Sequence, residues 1–215
     1  VTGPAEVISG APLRKKRAAA FPGRDTQAAI EKLQGVLELE PARHVLETTV
    51  NTPNVINHLA SSVLNAAQID TMGEDFHLFL DGLTPSVFTA LDAAYAELHA
   101  VLTSLGWFTM PNPTDHLRLV AEYDARPELD VFRSLAGPAS LKHRYVAEDA
   151  PCGVALLASL GKHQKVPTVL TDALLTIVSV INGTDYYAEG RTLERFGLAA
   201  LTLEQIERYL ETGER

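Results

Sequence analysis

The sequence predicts a mainly α-helical chain preceded by a short strand–helix–strand unit, the tail of a βαβ sheet. Three observations carry that expectation. From residue 51 onward, apolar residues recur at helical spacing, with alternation confined to one short stretch. Start and stop signals bracket those runs, such as Thr84-Pro85 before one and Gly106 after it. The first fifty residues instead hold two short apolar or β-branched runs flanking one helical pattern.

In chain order, Arg17 to Phe21 (RAAAF) is an apolar run stopped by Pro22-Gly23 and reads as a strand. Thr26 to Leu37 carries Ile30, Leu33, Val36 and Leu37 at helical spacing, with Asp25 as N-cap. His44 to Val50 (HVLETTV) is alternating and β-branched, so it reads as the second strand. Asn51-Thr52-Pro53-Asn54 breaks the pattern and sets the expected boundary: residues 1–50 end one domain, and residues 51–215 form a helical one. A helix follows over Val55–Ile69, then a strand-like piece at Phe76–Leu80, then a long helix from Pro85 to about Leu105 with Val87, Leu91, Ala94, Leu98 and Leu102 on one stripe. Asn112-Pro113 opens another helix, and Asp124 to Pro138 is less periodic. Pro151–Leu160 and Thr168–Ile181 are two more helices, closed by Gly161 and Gly183. Thr202 with Gln205 makes a capping box for a last helix over Leu203–Leu210.

Composition narrows the function classes. A formal charge of −9 disfavours nucleic acid and anionic membranes as partners. No apolar run approaches the roughly 20 residues that span a bilayer. A single cysteine, Cys152, rules out an internal disulfide scaffold and fits a reducing, cytoplasmic setting. The basic run Arg14-Lys15-Lys16-Arg17 reads as the solvated approach to a strand, in preference to a nuclear address. The chain begins at Val1 and carries no glycine-rich dinucleotide fingerprint, no G-x-x-x-x-G-K phosphate loop, no H-E-x-x-H and no G-x-S-x-G. It is expected to be part of a larger protein and inactive by itself.

Two segments concentrate polar groups in apolar surroundings: Asn51 to His58 (NTPNVINH) and His143 to Gly153 (HRYVAEDAPCG). A His, an Asp and an Arg brought together there would suit acid–base chemistry on a carboxylate substrate. The imidazole titrates near neutrality, an Asp fixes its tautomer, and an Arg grips a carboxylate with two parallel bonds. The bland alternatives are a structural histidine, Asp149 acting only as a helix cap, and Arg144 paired with Glu148 at the surface.

Three blocks resemble the octopine/nopaline dehydrogenase family: NTPNVINHLASSVLNAAQID (51–70), RYVAEDAPCGVALLASLGKHQKVPTVLTDALL (144–175) and GTDYYAEGRTLERFGLAALT (183–202). They occur in the family's order. The resemblance implies a helical C-terminal domain like that of 6-phosphogluconate dehydrogenase, preceded by the last βαβ remnant of a Rossmann domain. It implies an NAD- or NADP-dependent enzyme that joins an amino acid to a 2-oxo acid, the cofactor being held mainly by Rossmann sequence largely absent from this chain. The family's catalytic His falls on His58 and its Asp partner on Asp149, 149 − 58 = 91 positions away. Substrate contacts fall on Arg144, Asn54 and Tyr145. No metal is implied, and a homodimer fits the family. Leu59 stands where the family has Pro, and Cys152 where Tyr is common. Two other readings stay open: another Rossmann-plus-helical reductase, such as a ketopantoate reductase, built on Lys142, Lys162 or Lys165, and a non-catalytic partner subunit.

Overall fold

The computed structural model describes residues 16–121, 132 and 134–215, with the side chains of 120 and 121 left out. Strand β1 (Lys16–Ala18) pairs in parallel with β2 (Leu39–Pro41), and α1 (Thr26–Leu33) crosses between them. The expected strand–helix–strand order therefore stands, but its second strand comes earlier than the alternating pattern suggested. The expected strand His44–Val50 is instead the cap His44 followed by helix α2 (Val45–Val50). His44 caps this helix: its Nδ1 accepts the Glu47 N–H at 3.2 Å. Glu47 is drawn inward by Arg17 at 3.0 Å. Tertiary contacts override the β-branched propensity of Thr48, Thr49 and Val50. The same contact corrects the reading of Arg17, whose guanidinium lies over Phe108 at 4.0 Å from the ring centroid.

The rest of the described chain is a helical assembly. Pro53–Leu64 forms α3, Ala66–Met72 α4, Leu78–Asp81 α5, Pro85–Leu105 α6 and Thr114–Ala121 α7. The single helix expected over Val55–Ile69 is broken at Asn65, whose side-chain amide donates to the Ser61 and Gly82 carbonyls at 2.8 and 3.0 Å. The strand-like Phe76–Leu80 contributes one bridge, His77 to Gly137, and then turns into α5. Most of the irregular Asp124–Pro138 stretch lies outside the described residues.

Arg144–Ala147 is α8, Ala155–Gln164 α9, Val169–Asn182 α10 and Leu203–Thr212 α11. Gly161 does not close α9. A Cβ there would sit 2.7 Å from Thr168 Cγ2, so its bareness serves packing, and the helix runs on to a left-handed Lys165. Glu97 of α6 accepts the Leu170 and Thr171 N–H groups at 2.7 and 2.9 Å, an anion at the N-terminus of α10. The Thr202–Gln205 capping box forms as expected. One apolar core runs through the molecule, from Leu46 and Val50 of α2 to Leu210 of α11, with α3 and α6 at its centre.

Candidate active site

Helix α3 is buried along most of its length, and His58 sits on it with a side chain only 8% exposed. Its first turn is pinned by Tyr95 of α6, whose hydroxyl donates to Asn57 Oδ1 at 2.7 Å and lies 3.0 Å from the Pro53 carbonyl. Burial pushes the Tyr95 phenol up, so it remains a donor.

His58 Nδ1 lies 2.7 Å from Asp149 Oδ2. A carboxylate at that distance assigns the Nδ1 proton to the imidazole as donor, leaving Nε2 as the end without a protein partner among the described residues. The 91-residue separation is closed by a π-helical turn, Ala150–Val154, which begins directly after Asp149. Asp149 stands at the N-cap position of that turn, yet its side chain makes no cap bond and is committed to His58. Arg144 makes no ion pair with Glu148 among the described residues.

Two glycines and one backbone bond hold the π-turn in place. Gly153 meets Val55 of α3 so closely that a Cβ would overlap the valine side chain. On the other side, Gly190 leaves no room for a Cβ, which would come 2.5 Å from the Ala155 Cβ and the Tyr186 carbonyl and 2.9 Å from the Pro151 carbonyl. Arg191 N–H donates to that Pro151 carbonyl at 2.7 Å. A π-turn widens the helix by one residue and recurs at functional sites. Here it carries Asp149 toward α3.

The remaining residues gather around Tyr145, which is 8% exposed. Its ring stacks on His58 with centroids 3.7 Å apart and planes inclined by 14°. His143 meets the same ring edge-on at 4.6 Å, and the Arg144 guanidinium carbon lies 5.2 Å from its centroid. Burial holds the His143 imidazole below its ordinary range, and the nearby Arg144 and His58 charges add to this. Asn54 is exposed in the first turn of α3, four residues before His58 and so on the same helical face. The geometry thus joins His58, Asp149 and Tyr145 directly, sets Arg144 beside them, and leaves Asn54 at the surface. Sequence reasoning had no role for His143 or Gly153, and the resemblance gave the Gly190-Arg191-Thr192 turn a packing or domain-closure role before a substrate-contact one; here Gly190 and Arg191 pack on the π-turn. The signal for the glycines was present in the second and third blocks, but a glycine's bareness points to a neighbour only when the neighbour is known.

Among the described residues no group of three or more His, Cys, Asp or Glu side chains is arranged to hold a metal. In the β1–α1 connection a Cβ at Gly23 would meet the Arg43 carbonyl at 2.8 Å and Glu211 at 2.7 Å, so this glycine is packed by its own chain. A cleft of about 830 Å³ opens between α9 and α10, lined by Lys162, Lys165, Asp172 and Tyr187 among others, and includes none of His58, Asp149 or Arg144. Lys142, Lys162 and Lys165 are exposed. Lys162 is bound to Glu194 at 3.2 Å, and that hydrogen bond raises its pKa, the opposite of what a lysine base needs. No helix among the described residues is long and apolar enough to cross a membrane.

The family described as NAD/NADP octopine/nopaline dehydrogenase, alpha-helical domain, matches residues 41–182. The chain is also 32% identical over 200 residues to a protein named opine dehydrogenase from Arthrobacter sp. (strain 1C), an alignment covering 90% of this chain and 55% of that protein. The chain therefore spans about half the length of this relative. His58, Asp149, Arg144, Tyr145 and Asn54 all lie inside the matched family region, whereas Gly190 and Arg191 lie beyond it.

Proposed function

Given that the chain belongs to the octopine/nopaline dehydrogenase family, we propose that it is the substrate-handling part of an opine dehydrogenase, with residues 1–50 ending a nucleotide-binding domain and 51–215 forming the helical domain. The reaction joins the amino group of an amino acid to the carbonyl carbon of a 2-oxo acid, loses water to give an imine, and reduces it to a secondary amine. The nicotinamide of NAD(P)H would supply the hydride, held by sequence outside the described residues. This chain's residues would orient the substrates and move the protons.

The observation that carries the reading is the His58 Nδ1–Asp149 Oδ2 bond of 2.7 Å. With Nδ1 committed to Asp149, Nε2 is the nitrogen that exchanges a proton with the carbonyl oxygen and with the departing water. Arg144, exposed at the start of α8, would grip a substrate carboxylate, with Asn54 one turn before His58 as a second polar contact. The exposed, ion-paired state of Lys162 weighs against a reductase built on a lysine base.

The test uses the protein carrying this chain together with its nucleotide-binding region. NAD(P)H oxidation should require an amino acid and a 2-oxo acid together, and mass spectrometry should find their secondary-amine adduct. Oxidation with a 2-oxo acid alone would favour the ketopantoate-reductase type of chemistry. No oxidation with any pair would favour a non-catalytic subunit.

A further inference from the structure

We propose that Tyr145 is the positioning residue of the site: its ring is the platform that holds the His58 imidazole against Asp149 and ties Arg144 to the pair. The inference rests on the reading of His58 as the acid–base group, and it replaces a substrate-contact role for Tyr145. Three features argue for it. The ring lies parallel to the imidazole at 3.7 Å and 14°, so one face of His58 is covered by Tyr145 and closed to a substrate. Tyr145 is buried, and burial first of all raises its phenol pKa, so the side chain acts as a neutral aromatic slab. The same ring takes the edge of His143 at 4.6 Å and has the Arg144 guanidinium carbon 5.2 Å from its centroid.

A histidine anchored by one hydrogen bond at Nδ1 retains a rotation about that bond. A stacked ring removes it, because tilting the imidazole would either lose the contact or clash with the slab. His143 blocks Tyr145 from sliding, since its own Nδ1 accepts the Tyr145 backbone N–H at 3.3 Å and fixes its ring at the cap of α8. The charged and titratable groups around His58 are thus Asp149 before the π-turn and His143, Arg144 and Tyr145 around α8, with Tyr95 of α6 held by the adjacent Asn57.

The experiment reads the His58 ring nitrogens by ¹⁵N NMR in the full chain, with Tyr145→Phe and Tyr145→Leu variants. In the parent, the nitrogens should report a single tautomer protonated at Nδ1. Tyr145→Phe keeps the slab and should reproduce the parent. Tyr145→Leu should move the two nitrogens toward the average of both tautomers and speed exchange of the Nδ1 proton by about two- to tenfold, as expected for loss of an aromatic stack of ordinary strength. If Tyr145→Leu does not fold, Tyr145→Met retains bulk without a ring and takes its place. Unchanged ring nitrogens in the leucine or methionine variant, whatever its thermal stability, would overturn the proposal and leave Tyr145 as ordinary packing. In the active protein, Tyr145→Leu should lower kcat with little change in KM, whereas a substrate-contact role would raise KM. Because the NMR measurement needs no turnover, a failure of this inference is distinguishable from a failure of the enzymatic reading.

Discussion

Two histidines are buried in this molecule to nearly the same degree, His44 at 1% and His58 at 6% exposure, and they are used in opposite ways. His44 spends its Nδ1 as an acceptor for a backbone N–H three residues on, and packs its ring edge-to-face on Trp107 at 4.5 Å. Its Nε2 is buried with no partner, and burial lowers its pKa, so it is a neutral structural cap. His58 commits Nδ1 as a donor to a carboxylate 91 residues away and keeps Nε2 for something outside the protein. The carboxylates differ likewise. Glu47 is 2% exposed and accepts from Arg17 Nη2 at 3.0 Å and from the Arg43 and Phe108 backbone N–H groups at 3.4 and 3.3 Å, so its bonding is exhausted inside the fold. Asp149 keeps 19% of its side chain exposed and bonds to the imidazole. A buried histidine points to chemistry when its partner fixes a tautomer and leaves the other nitrogen unspent.

The sharpest break of this comparison exchanges the two histidines as targets. In the active protein, His58→Ala should cut kcat by about 10²–10⁴, the usual contribution of a positioned acid–base group. His44→Ala should leave kcat unchanged and lower the denaturant midpoint, since it removes a cap and a ring contact. Steady-state rates and unfolding curves on the same two variants check both halves. Loss of activity in His44→Ala at full folding would erase the distinction.

The carboxylates give the next largest effect, this time in stability. Glu47→Ala strips the partner from Arg17 and from two backbone donors. It should cost about 2–4 kcal/mol, somewhat below the range for a fully buried pair because Arg17 keeps 28% exposure. Asp149→Ala, with its single bond, should cost about 1 kcal/mol. Chemical denaturation should rank them in that order.

How much of this could be read beforehand follows from which partners are local. Capping boxes, Pro at the first helical turn and left-handed glycines concern neighbours within four residues. The Thr202–Gln205 box and the α6 limits at Pro85 and Gly106 accordingly came out as expected. His44–Val50 did not, because the helix there depends on Arg17 and Phe108, about 30 and 60 positions away from Glu47. For the dyad, composition and spacing supplied candidates without a pairing; only block resemblance joined His58 to Asp149. The π-turn was invisible, because nothing in the Pro151-Cys152-Gly153 triplet alone separates a π-turn from an α-turn.

A third change tests how far the His58–Asp149 pair depends on the packing that braces the π-turn. Gly190→Ala places a methyl group 2.5 Å from the Tyr186 carbonyl and 2.9 Å from the Pro151 carbonyl, backbone atoms that cannot simply rotate away. It should cost about 1–3 kcal/mol by overpacking and should also lower kcat by moving Asp149 off His58. Activity preserved at that cost in stability would show that the dyad does not depend on the brace.

The smallest effect is in pH, and its sign follows from the burial of His44. His44 is held below its ordinary value of 6.5, chiefly by burial, with the nearby Glu47 charge opposing. Above pH 6.5 neither the folded nor the unfolded chain carries that proton, so the full stability is present. As pH falls below 6.5 the unfolded chain binds it first, and stability is lost until pH passes the folded-state value. His143, lowered by burial and by the Arg144 and His58 charges, adds a loss of the same sign in the same window. The acidic contributions come later: Glu194 is held down to about 2, burial being outweighed by its own backbone N–H, Ser159 and Lys162, so its stabilisation is lost only as pH falls below its ordinary value of 4.5. Between pH 6.5 and 4.5 the two histidines therefore lower stability as pH falls, while Asp172, whose carboxyl is raised by burial, works in the opposite direction. His44→Asn keeps a capping side chain and removes the titrating ring, so it should cost about 1 kcal/mol or less in capping at pH 8. Loss of the Trp107 contact adds to that cost. The gap between parent and variant should narrow steadily as pH drops to 5, read as urea midpoints at matched ionic strength. A constant gap across that range would mean that His44 is protonated equally in both states. Its buried, unpartnered Nε2 would then have found a compensating group, and its contrast with His58 would rest on geometry alone.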